Sequence, residues 1–183
     1  MNWSQLPNLI SLFRLLLVPV VLVLMLEEAF TLALLVVLAA AVSDGIDGWL
    51  ARRFGWYTPL GAVLDPLADK ALMLVTYLGL GFLGLIPLWL PILVIFRDVT
   101  IAFGAWLHRR LYGAFKVTAR RASKWNTAIQ AGFVVMVLAA AGPLPLLLPL
   151  VPAAVVLVAL STLFSGLDYA WAYWGPRRTA PRG

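Results

Sequence analysis

The sequence predicts an all-α membrane protein with six transmembrane helices and both termini in the cytoplasm. Three observations predict this fold: a composition that is 63% hydrophobic, long apolar runs separated by short polar links, and an alternation of charge between those links. Soluble domains contain about 45–50% apolar residues. The mean hydropathy of +0.95 therefore excludes an ordinary soluble domain. A length of 183 residues leaves room for roughly six spans of about 20 residues each.

The apolar runs define the expected helices. We expect helices over residues 6–26, 29–54, 58–82, 88–107, 122–141 and 146–174. Pro149 and Pro152 should delay or kink the start of the last helix, because proline removes a backbone donor. The helical domain then covers residues 1–174, and the Pro/Arg/Gly-rich stretch 175–183 is expected to be a disordered basic tail.

Basic residues set the expected orientation. The links after the first, third and fifth helices contain no Lys or Arg, whereas those after the second and fourth helices and the tail contain several. Basic loops stay on the cytoplasmic side of a membrane. The net charge of +6 thus indicates orientation and binding of anionic lipid headgroups, chiefly by residues 109–124, rather than nucleic acid. With no organelle-targeting leader before the first helix, we expect a multi-pass protein of the plasma (inner) membrane.

Chemistry that depends on cysteine or clustered histidine is excluded. The chain has no cysteine and one histidine, His108, which falls in the basic link after the fourth helix and is expected to be solvated. Thiolate metal sites and cysteine nucleophiles are therefore ruled out. Carboxylates remain as the candidate ligands and acid–base groups.

Four aspartates are the strongest candidates for a functional site. Asp44 and Asp47 lie three residues apart and Asp65 and Asp69 four apart, so each pair shares a helix face. A short link should make these two helices antiparallel neighbours, which brings both pairs to the same cytoplasmic depth. Four carboxylates there repel one another in a low dielectric, and divalent cations remove that cost. Oxygen ligands favour Mg²⁺, Mn²⁺ or Ca²⁺, and four carboxylates can hold two such ions.

Two glycines and an arginine accompany these acids. Gly48 follows Asp47 directly, and Gly61 lies one turn before Asp65. Both would let a flat or phosphorylated ligand approach the backbone near the ions. Arg52 lies one turn after Gly48, where its guanidinium can hold a phosphate in two places or serve as a positive-inside anchor.

Together these residues resemble the signature of the CDP-alcohol phosphotransferase family. The pattern in this chain reads Asp44-x2-Asp47-Gly48-x2-Ala51-Arg52-x8-Gly61-x3-Asp65-x3-Asp69. Residues 6–14 also resemble the first helix of that family. The resemblance implies a membrane enzyme of phospholipid biosynthesis that transfers a phosphatidyl group from CDP-diacylglycerol to an alcohol and releases CMP.

The resemblance also implies roles for single residues. By similarity, two metal ions, usually Mg²⁺ or Mn²⁺, are coordinated by Asp44, Asp47, Asp65 and Asp69. The CDP site is lined by Gly48, Ala51, Arg52 and Gly61. Asp69 is also the catalytic base for the acceptor hydroxyl. Asn8 and Arg14 either contact the nucleotide, as we expect for Asn8, or lie at the membrane interface. Relatives are commonly homodimers, and we expect the same here.

The second half of the chain bears on the acceptor alcohol. Residues 95–99 and 123–130 look most like the cardiolipin synthases of the family, whose acceptor is phosphatidylglycerol. The phosphatidylglycerophosphate synthases, which use glycerol 3-phosphate, carry more cations there, whereas this chain has Ala105 and Asn126 at two of those places. We expect phosphatidylglycerol as acceptor and glycerol 3-phosphate as the alternative, with Arg97 and Lys124 holding the acceptor phosphate. Asn126 and Gln130 share a face for an interhelix hydrogen bond or a substrate contact.

A divalent-cation transporter is the alternative from another functional class. It would need carboxylates or broken helices through the whole membrane depth, whereas the candidate ligands here collect toward one face. A noncatalytic lipid-binding protein is a further alternative, although the acids and Arg52 are all present. The layout favours a lipid reaction at the cytoplasmic boundary.

Overall fold

The computed structural model describes residues 6–55, 61–112 and 121–174. These residues form α1 (Leu6–Leu26), α2 (Phe30–Phe54), α3 (Gly61–Phe82), α4 (Trp89–Tyr112), α5 (Arg121–Ala141) and α6 (Val151–Trp174). A 3-10 helix at Pro145–Leu150 precedes α6. The predicted all-α fold is confirmed for this part of the chain, and the predicted tail 175–183 lies outside it.

Residues with a positive φ lie in the turns between α1 and α2 and between α3 and α4. Glu28 has a φ of 56° in the first turn, and Gly84 has a φ of 74° in the second. Gly55, with a φ of 68°, ends α2 in the same way. Glycine suits this conformation because it lacks a Cβ. α2, which bears Asp44 and Asp47, therefore ends at Phe54.

Two helix boundaries refine the sequence expectations. The 3-10 helix that contains Pro149 delays α6 until Val151, as the prolines predicted. The expected end of the fourth helix was wrong, because α4 continues to Tyr112 and places His108 on a helix rather than in a loop. Arg110 stacks 5.7 Å from the ring of Trp106, one turn earlier. Basic side chains in a last turn also interact favourably with the helix dipole.

The helices pack in two groups of three. In the first group α1 contacts both α2 and α3, and in the second α6 contacts both α4 and α5. Contacts of α2 with α5, and of α3 with α4 and α5, join the groups. Direct packing of α2 on α3, expected from the short link, stays a prediction, and among the described residues Asp44 of α2 and Asp69 of α3 meet at one nitrogen of Arg14. α1 packs against both helices, and its buried polar face offers partners to each.

Apolar side chains fill the interior and cover the outside. Val21, Met25, Leu80 and Leu138 belong to the buried core, whereas large apolar side chains are exposed on the outer helix faces, including Leu16, Phe96, Trp125, Leu146 and Leu167. Among the residues that the structure describes, four stretches are long and apolar enough to cross a membrane: Asn8–Leu26, Trp89–Leu111, Ala122–Ala141 and Pro145–Trp171. A shorter apolar stretch, Phe30–Ile46, belongs to α2. An apolar outer surface together with helices of this length is typical of a membrane protein.

Candidate active site

A buried arginine on α1 joins two of the predicted acids. Arg14 is 1% exposed, although it lies in the middle of an apolar helix. Its Nη1 donates a hydrogen bond to Asp44 Oδ1 at 2.7 Å and another to Asp69 Oδ1. A cation within a membrane helix costs roughly 2.5–3.5 kcal/mol on insertion scales, so it requires an anionic partner. Arg14 therefore ties α1 to α2 and α3 at the level of the acids.

A serine on the same face of α1 holds a third acid. Ser11 is fully buried, and its hydroxyl donates a hydrogen bond to Asp65 Oδ1. Because Ser11 and Arg14 are three residues apart, they share one face of the helix. The face of α1 defined by Ser11 and Arg14 thus contacts Asp44, Asp65 and Asp69, which the sequence had predicted to lie close together.

The structure describes only some of the other residues that were predicted for the metal and CDP sites. The side chains of three of them lie outside the described residues: Asp47, Ala51 and Arg52. Gly48 is half-buried in α2, and Gly61 is buried at the start of α3. Asn8 is half-buried on α1, three residues before Ser11. The described residues of this group therefore lie on the same helices as the acids.

The chemistry of the acid cluster fits a hard divalent cation. Oxygens of Asp44 and Asp69 converge on a single nitrogen of Arg14. Within residues 6–55, 61–112 and 121–174, no group of three or more acidic or histidine side chains is arranged to hold an ion together; Asp65 is bonded to Ser11 instead. Carboxylate oxygens are the donors that Mg²⁺ and Mn²⁺ prefer. Arg14 supplies positive charge where two of those donors meet.

A cavity of about 390 Å³ lies between α3, α4 and α5, and Asp69 is one of the residues that line it. Most of its wall is apolar, with Met73 and Val94 among the side chains that line it. An ion pair between Lys70 and Asp98 lies at its edge. The cavity thus combines an apolar interior, one pair of opposite charges and the predicted base.

A second, apolar groove has a volume of about 230 Å³. It is formed by α1 and α2 and lined by Leu9, Ile10, Phe13, Ser43 and Ile46. Several of these residues adjoin Ser11, Arg14 or Asp44 in the sequence. The groove therefore involves the same two helices that bear Arg14 and Asp44.

Arg97, predicted to hold the acceptor phosphate, is directed toward other helices. It is 7% exposed, and its guanidinium donates to Asp98 Oδ1 at 2.8 Å and to Ser123 Oγ at 3.0 Å. It also donates to Ser165 Oγ and lies 5.9 Å from the ring of Tyr169. Lys124 is exposed in the first turn of α5. Neither predicted cation is among the described residues that border the cavity at Asp69.

Asn126 and Gln130 connect α5 to α6. Asn126 Oδ1 accepts hydrogen bonds from Ser161 at 2.8 Å and from Thr162 at 3.2 Å. Gln130 Nε2 donates to Thr162 Oγ1 at 3.2 Å. Of the two possibilities that the sequence left open, the structure contains the interhelix hydrogen bonds.

Sequence reasoning missed Ser11 and Lys70 and left the role of Arg14 open. A signal for Arg14 was present: a charged residue inside an apolar run needs an opposite charge, and the paired aspartates were the candidates. Ser11 could then be found on the face of Arg14 by its three-residue spacing. Lys70 carries no such signal, because its role depends on which residue of α4 faces α3.

Comparison with known proteins gives a family and several named relatives. The profile of the CDP-alcohol phosphatidyltransferase family matches residues 4–168. A Mycobacterium tuberculosis protein named "Probable phosphatidylglycerophosphate synthase" is 33% identical over 175 residues, which are 91% of this chain and 80% of that protein. The human cardiolipin synthase (CMP-forming) is 36% identical over 154 residues, covering 75% of this chain and 51% of the relative.

A bacterial relative whose name includes glycerol 3-phosphate is similar over a shorter stretch. The CDP-diacylglycerol–glycerol-3-phosphate 3-phosphatidyltransferase of Aquifex aeolicus is 41% identical over 101 residues, covering 54% of this chain and 56% of the relative. The chain thus spans about half the length of the human and Aquifex relatives.

The chain belongs to the CDP-alcohol phosphatidyltransferase family. The predicted enzyme class is thereby confirmed. Members of this family use CDP-diacylglycerol and an alcohol acceptor, and the relatives are named as phospholipid synthases.

Proposed function

We propose that this protein transfers the phosphatidyl group of CDP-diacylglycerol to phosphatidylglycerol, which forms cardiolipin and releases CMP. The observation that supports this acceptor is the largely apolar cavity that Asp69 lines. Phosphatidylglycerol brings a monoanionic phosphodiester and two acyl chains, so it requires apolar space and few cations. A single lysine at the edge of such a cavity suits that acceptor better than a dianionic phosphate monoester.

Asp69 acts as the base in this proposal. It accepts the proton of the acceptor hydroxyl while that oxygen attacks the phosphorus that bears diacylglycerol. The bond from this phosphorus to the CMP oxygen breaks, and CMP leaves with the electron pair. A positioned general base contributes about 10²–10⁴-fold to such a step. Arg14 orients the carboxylate by holding its Oδ1.

The four predicted acids would hold the metal ions that the family generally requires. Mg²⁺ or Mn²⁺, two ions by resemblance, would bind Asp44, Asp47, Asp65 and Asp69. Such ions neutralise the charge on the pyrophosphate and on the departing CMP. CDP would contact Gly48, Ala51, Arg52, Gly61 and Asn8. In this scheme Ser11 keeps Asp65 turned toward α1, the helix that contacts both acid-bearing helices.

We further propose that all six helices cross the membrane. α2 has 25 residues and α3 has 22, so at 1.5 Å per residue they are about 37 and 33 Å long, enough for a hydrocarbon core of about 30 Å. Their acids lie in the second half of α2 and the first half of α3. If α2 and α3 cross the membrane antiparallel, these halves lie on the same side. The neighbouring links are basic, so this side is the cytoplasmic side of the plasma (inner) membrane.

Two further parts of the proposal concern assembly and the membrane surface. The protein would form a homodimer, as relatives commonly do. Residues 109–124 would bind anionic lipid headgroups, because this stretch is rich in Lys and Arg and follows a membrane-crossing helix.

Glycerol 3-phosphate is the second candidate acceptor. The observation that favours it is the Mycobacterium tuberculosis relative, whose similarity extends over most of both chains and whose name refers to phosphatidylglycerophosphate. In that case the same base and acids would act, and the product would be phosphatidylglycerophosphate.

An acceptor panel with product identification tests the proposed function. Purified protein in mixed micelles receives CDP-diacylglycerol, Mn²⁺ and one of four acceptors: phosphatidylglycerol, glycerol 3-phosphate, inositol phosphate or serine. We expect CMP and cardiolipin with phosphatidylglycerol, identified by mass spectrometry. Phosphatidylglycerophosphate as the main product would support the second candidate. No lipid product with any acceptor would contradict both.

A further inference from the structure

Lys70 is the cation nearest in sequence to the proposed base and borders the same cavity. Its side chain is 62% exposed, and its ammonium pairs with Asp98 of α4. Asp69, Lys70 and Asp98 all line the cavity of about 390 Å³ between α3, α4 and α5. The ion pair therefore lies where a molecule seated in the cavity would meet it.

Arg97 does not line the cavity, although its guanidinium also pairs with Asp98. Consecutive residues of a helix point about 100° apart, so α4 directs Asp98 toward the cavity and Arg97 toward α5 and α6. A partly buried hydrogen bond to Ser123, a buried one to Ser165 and the face of the Tyr169 ring hold its guanidinium. Moving Arg97 into the cavity would leave those hydroxyls without their cation, at a cost in buried hydrogen bonds.

We propose that Lys70 binds the phosphate of the acceptor alcohol. In the absence of acceptor, Asp98 pairs with the Lys70 ammonium at the cavity, and the acceptor phosphate then takes the place of Asp98. The inference rests on the proposed function and specifies the acceptor site within it. A glycerol unit separates phosphate and free hydroxyl by three carbons in both candidate acceptors. Because Lys70 and Asp69 are consecutive and border one cavity, such a molecule reaches both: its phosphate meets Lys70 and its hydroxyl meets Asp69.

Asp98 keeps a second partner, which makes the inference testable by mutation. Arg97 Nη1 lies 2.8 Å from Asp98 Oδ1, so Lys70→Gln leaves this carboxylate paired. Lys70→Gln should therefore fold, and Lys70→Arg retains a cation. Asp98→Asn removes the resident anion and leaves Lys70 in place.

Steady-state kinetics with whichever acceptor the wild type uses give the first test. We expect Lys70→Gln to raise the acceptor KM about tenfold or more, since a hydrogen bond between charged groups is lost, while the KM for CDP-diacylglycerol changes less than about twofold. Lys70→Arg should recover most of the effect, and Asp98→Asn should lower the acceptor KM. An unchanged acceptor KM in Lys70→Gln, an equal rise in both KM values, or a rise only in Lys124→Gln would overturn the proposal.

A binding measurement separates this inference from the proposed reaction. Thermal unfolding is followed with glycerol 3-phosphate, inorganic phosphate or short-chain phosphatidylglycerol, for wild type, Lys70→Gln and the exposed control Glu27→Gln. We expect at least one of these phosphates to stabilise wild type and Glu27→Gln but not Lys70→Gln. Equal stabilisation of all three proteins, or of none, would overturn the role of Lys70. Stabilisation in this pattern without CMP release from any acceptor would refute the reaction and leave the phosphate site standing.

Discussion

Arg14 Nη1 lies 2.7 Å from Asp44 Oδ1 and also donates to Asp69, so one buried guanidinium nitrogen joins acids from two different helices. Both aspartates are 48% exposed, whereas the arginine is 1% exposed. The acids therefore face a water-accessible side, and the cation approaches them from the protein interior. This relationship makes α1 part of the site, although the acidic motif lies entirely on α2 and α3.

Arg14→Gln should destabilise the protein most when divalent cations are absent. Loss of charge-assisted hydrogen bonds predicts a decrease of roughly 1–3 kcal/mol in the free energy of unfolding. Added Mn²⁺ should restore more stability to the variant than to wild type, because the ion then balances the charge of Asp44 and Asp69. Thermal unfolding in detergent with chelator and with Mn²⁺ measures this difference.

Arg109→Gln is the control for that substitution, since Arg109 is exposed on α4. It should change stability little under either condition. An equal loss of stability in Arg14→Gln with and without Mn²⁺ would mean that Arg14 acts through packing alone.

Ser11→Ala should weaken the hold on Asp65. The fully buried hydroxyl of Ser11 donates to Asp65 across α1 and α3, and its loss predicts a decrease of about 1 kcal/mol in the free energy of unfolding. The Mn²⁺ concentration that gives half-maximal activity should also rise. Ser43→Ala is the matched control, because Ser43 bonds to Ala39 O within its own helix at 2.7 Å. Indistinguishable Mn²⁺ dependence of the two variants would refute the role of Ser11.

Thr162→Val should affect stability without affecting catalysis. Thr162 is fully buried, donates to Asn126 and accepts from Gln130. Interhelical hydrogen bonds of this kind contribute about 0.6–1.7 kcal/mol in membrane proteins. Thr100→Val, whose hydroxyl bonds to Phe96 O within α4, should be nearly neutral. A raised acceptor KM in Thr162→Val would instead indicate that this polar cluster contacts substrate.

Gly142→Ala and Gly132→Ala should change stability in opposite directions. A Cβ at Gly142 would lie 2.9 Å from the backbone nitrogen of Thr31, so the turn must shift, at about 1–3 kcal/mol. A Cβ at Gly132 meets nothing within 4 Å among the described residues, and alanine favours a helix by roughly 0.5–1 kcal/mol. Equal effects of the two variants on the unfolding temperature would contradict the close approach of α2 to the end of α5.

The sequence was sufficient to predict that Asp44, Asp65 and Asp69 lie close together, because carboxylates in apolar helices are costly and their spacing fixes a shared face. It predicted that α2 and α3 would meet directly, since a short link favours neighbouring helices. The third helix at the acids, α1, could not be predicted from link length. Arg14 and Ser11 place it there, and their role depends on tertiary packing.

The acceptor side shows a similar limit. Both Arg97 and Lys70 are visible in the sequence as cations near the predicted site. Whether Arg97 borders the cavity depends on the rotation of α4 about its axis. The contacts of Arg97 with Ser165 and Tyr169, far along the chain, help to set that rotation. Local spacing contains no information about these long-range partners.

The most direct test of the central claim, that the acids at α1 form a metal-dependent transferase site with Asp69 as base, is CMP release from CDP-diacylglycerol. Wild type, Asp69→Asn and the exposed-carboxylate control Glu27→Gln are compared with Mn²⁺ and with excess chelator. We predict that chelator abolishes release by wild type, that Asp69→Asn slows it about 100-fold or more, and that Glu27→Gln retains the wild-type rate. Release that persists in chelator, or proceeds at full rate in Asp69→Asn, would contradict the claim.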